Sequence, residues 1–178
     1  ESCSPTQFFF LFHFCFIFPQ IFSAIAGGAV SKPPISYPLM GVIADSVLAG
    51  GGEVIGVIPQ QLVDSEVAHR GLTELHIVRT MHERKHRMAG LADAFVALPG
   101  GYGTLDELCE VLGWAQLSIH EKPIVLLDVM DYWQSLFAMF DRAVQEGFLK
   151  PENRRDAMRA TSVAEVFRLL NAERPHRC

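Results

Sequence analysis

The stretch that most limits what this chain can fold into runs Ala94-Phe-Val-Ala-Leu-Pro-Gly-Gly-Tyr-Gly-Thr-Leu-Asp-Glu107. Its first five residues, Ala94 to Leu98, form a short apolar run of the kind that fills a buried parallel strand. Pro99 ends the run, and Gly100, Gly101 and Gly103 follow at once. Glycine lets the backbone come close to a ligand, so such a loop can aim its N–H groups at an anion. The pattern predicts a helix from Thr104, whose orphan N–H groups and positive dipole end would point back at the loop. Strand, glycine loop and helix N-terminus in that order make a phosphate cradle. The loop lacks the Gly-Lys-Ser/Thr of a Walker site and the spaced G-x-G-x-x-G of a dinucleotide site.

Glu107 admits two readings. Thr104-x-x-Glu107 fits the capping box, in which a glutamate at the third helical position bonds back to the backbone of the capping residue. The same carboxylate, held one turn above a bound phosphate, would instead serve catalysis.

Around this stretch, strands and helices alternate. A helix is predicted over Leu39–Ala49, stopped by Gly50-Gly51-Gly52, and then a strand over Glu53–Ile58 ended by Pro59. A polar loop through Glu66 leads to a strand over Glu74–Val78, a helix over Met81–Ala92, the central strand and a long helix over Thr104–Ile119. Pro123–Leu127 reads as another buried strand closed by Asp128, Asp131–Glu146 as an amphipathic helix capped by Gly147, and Val163–Leu170 as a last short helix. Such alternation predicts an α/β fold, a Rossmann-like parallel sheet with helices on both faces. The 178 residues suit one domain. A net charge of −5 leaves no footprint for nucleic acid. Cys3, Cys15, Cys109 and Cys178 have no C-x-x-C spacing, which argues against a structural zinc site or disulfide framework and fits a reducing, cytoplasmic setting.

The helix predicted at Met81 carries two motifs. His82-Glu-Arg-Lys-His86 matches the H-E-x-x-H of zinc proteases, with the two histidines about 40° apart on the helical wheel. Lys85, about 60° from His82, would crowd a dication there, and no third ligand follows. A solvated helix face, with no metal, is the expectation. Arg84 lies about 200° from His82, among Met81, Met88 and Leu91 on the apolar stripe. A guanidinium on a buried face needs an anionic partner, either a core carboxylate or Glu107 and a ligand phosphate. Asp45, Glu110 and Asp128 read as solvated groups at helix or strand ends, and His69, His76 and His120 as structural. The Phe137/Phe140 stripe reads as core.

Pro99-Gly-Gly-Tyr-Gly-Thr-Leu-Asp-Glu107, preceded by Met81-His-Glu-Arg-Lys85, resembles the paired signature of the cytokinin-activating phosphoribohydrolases, the "lonely guy" family, long described as lysine decarboxylases. Glu66-Val-Ala-His69, Leu72-Thr-Glu-Leu75 and Trp114-Ala-Gln116 are similar to the same family. The resemblance covers about Leu39 to Leu170. It implies a phosphoribohydrolase domain over 39–170, followed by a tail over 171–178. The implied reaction is hydrolysis of the N-glycosidic bond of a nucleoside 5′-monophosphate, a cytokinin riboside monophosphate or AMP. The resemblance makes Arg84 and Glu107 the catalytic pair. It makes Glu66, Lys85, Gly100, Gly101, Tyr102, Gly103, Thr104, Leu105, Asp106 and Gly113 the substrate-binding positions. It also implies a homodimer with no metal and no organic cofactor. The alternative is a non-catalytic nucleotide or cofactor carrier on the same fold, which would not need Arg84 and Glu107 together. A lysine decarboxylase would need a Schiff-base lysine for pyridoxal phosphate, and Lys85 is already implied in the substrate site.

Residues 1–38 depart from the family. Phe8 to Phe18 is an apolar run interrupted by His13, but Pro19-Gln20 falls inside any window of about 20 residues that could span a membrane, so no span is expected. Ala24-x-Ala26 mimics a signal cleavage site without a basic region before it. Ser31–Pro38 holds three prolines and reads as a loop. Family members begin with a strand ending in a Cys-Gly-Ser-Ser turn, a helix, a second strand, and a Gly-Gly-Gly loop leading into Gly-Leu-Met-Gly. Here Leu39-Met40-Gly41 survives, with Gly27-Gly28 as a remnant of the loop. The first strand–helix unit is expected to be missing or replaced, which would make the chain a poor enzyme.

Overall fold

The structure, a computed structural model, describes residues 8–10, 16–17, 39–63 and 71–172. The chain divides into two compact units, Glu1–Asp93 and Ala94–Cys178. Glu66 and most of residues 1–38 lie outside the described residues.

In the first unit, two short strands, β1 (Phe8–Phe10) and β2 (Phe16–Ile17), pair antiparallel with Phe8 opposite Ile17. Helix α1 (Leu39–Ala49) buries Ile43, Ala44 and Val47, one stripe of its surface. It stops where Gly51 turns left-handed at φ 76°, as the glycine run predicts, and Gly52 donates back to the Val47 carbonyl at 2.9 Å. Strand β3 (Ile55–Pro59) then runs parallel to β4 (Glu74–Val78), with Ile55 opposite Glu74 and Pro59 opposite Val78. The short α2 (Gln60–Val63) follows β3, and α3 (Met81–Leu91) follows β4. Buried residues fill β3 from Gly56 onward, whereas β4 alternates less cleanly and exposes most of its side chains.

In the second unit, β5 (Ala94–Ala97), β6 (Ile124–Leu127) and β7 (Ala157–Ala160) form a parallel sheet in that order. Every residue of β5 and β6 is buried, the continuous apolar pattern of a parallel strand covered on both faces. Helix α4 (Tyr102–Gln116) links β5 to β6. A 3₁₀ turn (Val129–Asp131), α5 (Gln134–Gln145) and the single-turn α6 (Pro151–Arg154) link β6 to β7, and α7 (Val163–Ala172) follows. Gly147 closes α5 at φ 78°, as expected. Parallel strands alternating with helices give the α/β class that the sequence predicts. No helix among the described residues is long and apolar enough to cross a membrane.

Three local expectations need correction. Helix α4 begins at Tyr102 rather than Thr104, because the backbone of Gly101 already starts it. Helix α5 begins at Gln134 rather than Asp131, because Met130 and Asp131 sit in left-handed backbone at φ 54° and 57°. Strand β7, with its charged Arg159 in a four-residue run, has no counterpart in the sequence reading.

Candidate active site

Strand β5 carries the chain through Leu98 and Pro99 into the glycine loop. Gly101 (φ −94°, ψ −152°) is the N-cap of α4, and its carbonyl accepts from Leu105 N at 3.1 Å. Having no side chain, Gly101 leaves the first N–H groups of the helix without a side-chain cap. Among the described residues, a Cβ placed on Gly101 would meet nothing within 4 Å. Tyr102, the first helical residue, is 92% exposed. Gly100 and Gly103 are half-buried, and so is Leu105, while Asp106 is exposed.

This geometry removes the capping-box reading of Glu107. With Gly101 as N-cap, Thr104 is the third helical residue and Glu107 the sixth, too far along to bond back to the cap. Two other Ser/Thr-x-x-Glu sequences do cap helices. Thr80 Oγ1 accepts from Glu83 N at 3.0 Å while Glu83 Oε2 accepts from Arg79 N at 3.0 Å. Ser162 Oγ accepts from Glu165 N at 3.3 Å, and Glu165 Oε2 accepts from Thr161 N at 2.9 Å. Glu107 instead lies with Thr104, Leu108 and Val111 on the buried stripe of α4, only 3% exposed. A carboxylate on a core stripe, nearly two turns behind a glycine-led helix N-terminus, is a placement that packing alone would assign to leucine.

A second loop leaves the carboxyl end of β6 and reaches the first. Asp128, expected as a solvated strand-end group, is 2% exposed. Its N–H donates to the Ala160 carbonyl at 2.7 Å, extending the ladder to β7. Asp128 Oδ1 accepts from Trp133 N at 2.7 Å, and Oδ2 accepts from Arg159 Nε at 2.6 Å. Arg159 Nη2 also donates to Asp131 Oδ1 at 2.7 Å. The turn folds back over its own strand end, and an arginine from the neighbouring strand covers the carboxylate. That is the physical reason for the burial. On this turn Tyr132 OH donates to the Gly100 carbonyl at 2.6 Å, so the two loops touch.

Arg84 belongs to the first unit, where the sequence placed it on the buried face of α3. It is fully buried beside Met88 on that helix, and its Nε donates to the Val57 carbonyl at 3.0 Å. Lys85 is half-buried, and His82 and His86 are exposed, as a solvated face predicts. Gly113 stands twelve residues beyond Gly101, about 18 Å along α4 at 1.5 Å per residue. It lines an apolar pocket of about 280 Å³ with Cys109, Leu112, Phe140, Ala143 and Leu149. The second unit therefore brings together Gly100, Gly101, Tyr102, Gly103, Thr104 and Glu107. The residues that sequence reasoning missed are Asp128, Asp131, Tyr132 and Arg159. The only signal for them was an aspartate ending an apolar strand.

His120 has the structural role expected. Lys122 N donates to its Nδ1 at 3.1 Å, so Nε2 carries the proton and donates to the Val111 carbonyl at 3.0 Å. Burial holds its pKa below the ordinary value, with Lys122 adding to the effect and the Val111 carbonyl and Asp156 opposing it.

Residues 40–170 match the model of a family described as "possible lysine decarboxylase". The chain is similar to two cytokinin riboside 5′-monophosphate phosphoribohydrolases of Arabidopsis thaliana. One is 49% identical over 135 residues, covering 76% of this chain and 63% of the relative. The other is 46% identical over 140 residues, covering 79% and 61%. A probable enzyme of the same name from Oryza sativa subsp. japonica is 47% identical over 141 residues, covering 79% and 67%. The chain thus spans somewhat under two thirds of the length of the Arabidopsis relatives.

Proposed function

The chain belongs to the family described as possible lysine decarboxylase, and from that membership we propose that it hydrolyses the N-glycosidic bond of a nucleoside 5′-monophosphate. The products are the free base and ribose 5-phosphate. The names of its Arabidopsis relatives favour cytokinin riboside 5′-monophosphates as substrates, with AMP as a simpler member of the class. The observation that carries the proposal is Glu107, a buried carboxylate nearly two turns behind a glycine-led helix N-terminus and too far along the helix to cap it.

In this reading the N–H groups of Gly101 to Thr104 hold the phosphate. Cleavage of an N-glycosidic bond passes through an oxocarbenium-like state. Glu107 stabilises that positive charge or activates the attacking water, and Arg84 is the other member of the catalytic pair that the resemblance implies. Glu66, Lys85, Tyr102, Leu105 and Asp106 supply further substrate contacts. No step calls for a metal or organic cofactor. The working unit is a homodimer in the cytoplasm, built on the domain over 39–170. Pyridoxal chemistry is disfavoured because Lys85 sits within the substrate motif. The test is chromatography of AMP and isopentenyladenosine monophosphate after incubation with the purified chain. Free base with an equal amount of ribose 5-phosphate, even at the low rate expected from the departure over residues 1–38, supports the proposal, and untouched nucleotide refutes it.

A further inference from the structure

The contact between the two loops does more than join them. Gly100 C=O and Gly101 N–H belong to one peptide unit, and among the described residues no peptide bond is cis. In a planar trans peptide the two groups point in opposite directions, so a partner that fixes the carbonyl also fixes the N–H. Tyr132 OH holds that carbonyl at 2.6 Å. The N–H of Gly101 is thereby turned away from Tyr132. Glycines flank this peptide on both sides, and without the hydroxyl it would rotate more freely than any other in the loop.

We infer that Tyr132 is a positioning residue for phosphate recognition, acting through the Gly100–Gly101 peptide to keep one N–H donor aimed at the ligand's anion. The inference rests on the glycine loop being the phosphate site, as proposed above.

Tyr132 is itself fixed. Its ring meets Trp133 edge-on, 4.9 Å between centroids at 87°. The backbone on either side is held by Asp128, which accepts from Trp133 N, and by Asp131, which pairs with Arg159. The hydroxyl is therefore set from strand β7 through Arg159, two steps away from any ligand. Because the Tyr132 side chain is about half exposed, removing the hydroxyl leaves no buried polar group behind it.

The test compares Tyr132 with Tyr132→Phe, which keeps the ring against Trp133 and drops only the hydroxyl. Both are made in the full chain carrying Glu107→Gln, so that no nucleotide is consumed. Calorimetry gives the affinity for AMP and for adenosine, which lacks the phosphate, and thermal melting is followed in parallel. The expected result is AMP binding weakened about ten-fold, the scale of one hydrogen bond to a charged group, with adenosine binding and melting temperature little changed. A preference for AMP retained in full by Tyr132→Phe overturns the inference alone. Equal weakening for both ligands, with a fall in melting temperature, also overturns it, since that is what a merely structural residue would give. If the chain with Tyr132 intact binds AMP no better than adenosine, the phosphate-loop reading fails and the inference with it.

Discussion

The loops after β5 and β6 begin alike and solve the same problem differently. Each leaves a four-residue strand buried at every position, and each leads to a helix at the carboxyl end of a parallel sheet. The first turns with glycine and leaves its helix end without a side-chain cap. The second has no glycine and passes through left-handed backbone at Met130 and Asp131. It is held there by the buried Asp128 carboxylate and by Arg159. Glycine makes a turn permissive, and a permissive loop has an open surface for a ligand but no fixed shape of its own. Ion pairs and a buried carboxylate make a turn rigid, and a rigid turn can brace its neighbour. The pairing of the two through Tyr132 suits a site that needs both access and precision.

The largest effect is expected at Asp128. Asp128→Ala would leave Trp133 N without its acceptor and Arg159 without its buried partner. Because Arg159 is itself partly exposed, the expected loss is about 2 kcal/mol rather than the full cost of splitting a buried pair. Urea unfolding of the full chain measures this. A change below about 0.5 kcal/mol, the usual range for a surface substitution, would show that the turn does not depend on the carboxylate.

Met130→Gly makes the second loop resemble the first. Met130 is 94% exposed and has little packing to lose, whereas left-handed backbone costs a residue with a Cβ about 1–2 kcal/mol. Glycine returns part of that gain as unfolded-state entropy, so a stabilisation of up to about 1 kcal/mol is expected in the same unfolding assay. Destabilisation would mean that the methionine side chain contributes in a way its exposure does not suggest.

The smallest effect is expected before β6, where the His120 ring packs against Phe95 at 5.2 Å. A folded imidazole held below its ordinary value disfavours the charged form. The stability it contributes is therefore complete above about pH 6.5 and declines as the pH falls from there through the folded value. Between pH 7.5 and 5.5 the melting temperature should fall more for wild type than for His120→Asn. Parallel curves for the two proteins would contradict this.

The first loop was legible in the sequence because glycine and proline carry their backbone preferences locally. Arg84 was legible too, since its position on the helical wheel alone put it on the buried stripe. The start of α4 was misread by two residues because Thr104 is a good cap by type, whereas Gly101 caps by backbone alone. The second loop was not legible. Its conformation depends on Arg159, 31 residues from Asp128 in sequence and on a strand, Ala-Met-Arg-Ala, too short and too polar to announce itself. A turn fixed from a neighbouring strand leaves little trace in its own residues.

We propose that Glu107 acts on the nucleotide rather than on the helix. The most direct measurement is base release from AMP and isopentenyladenosine monophosphate by wild type and Glu107→Gln, followed by chromatography beside their melting curves. Glutamine keeps the size and hydrogen-bonding reach of the side chain but not its charge. Release is expected to fall about a hundred-fold or more, the scale of a lost general base, with melting temperature nearly unchanged. Equal release by the two proteins, or a collapse in melting temperature that accounts for the lost activity, would contradict it.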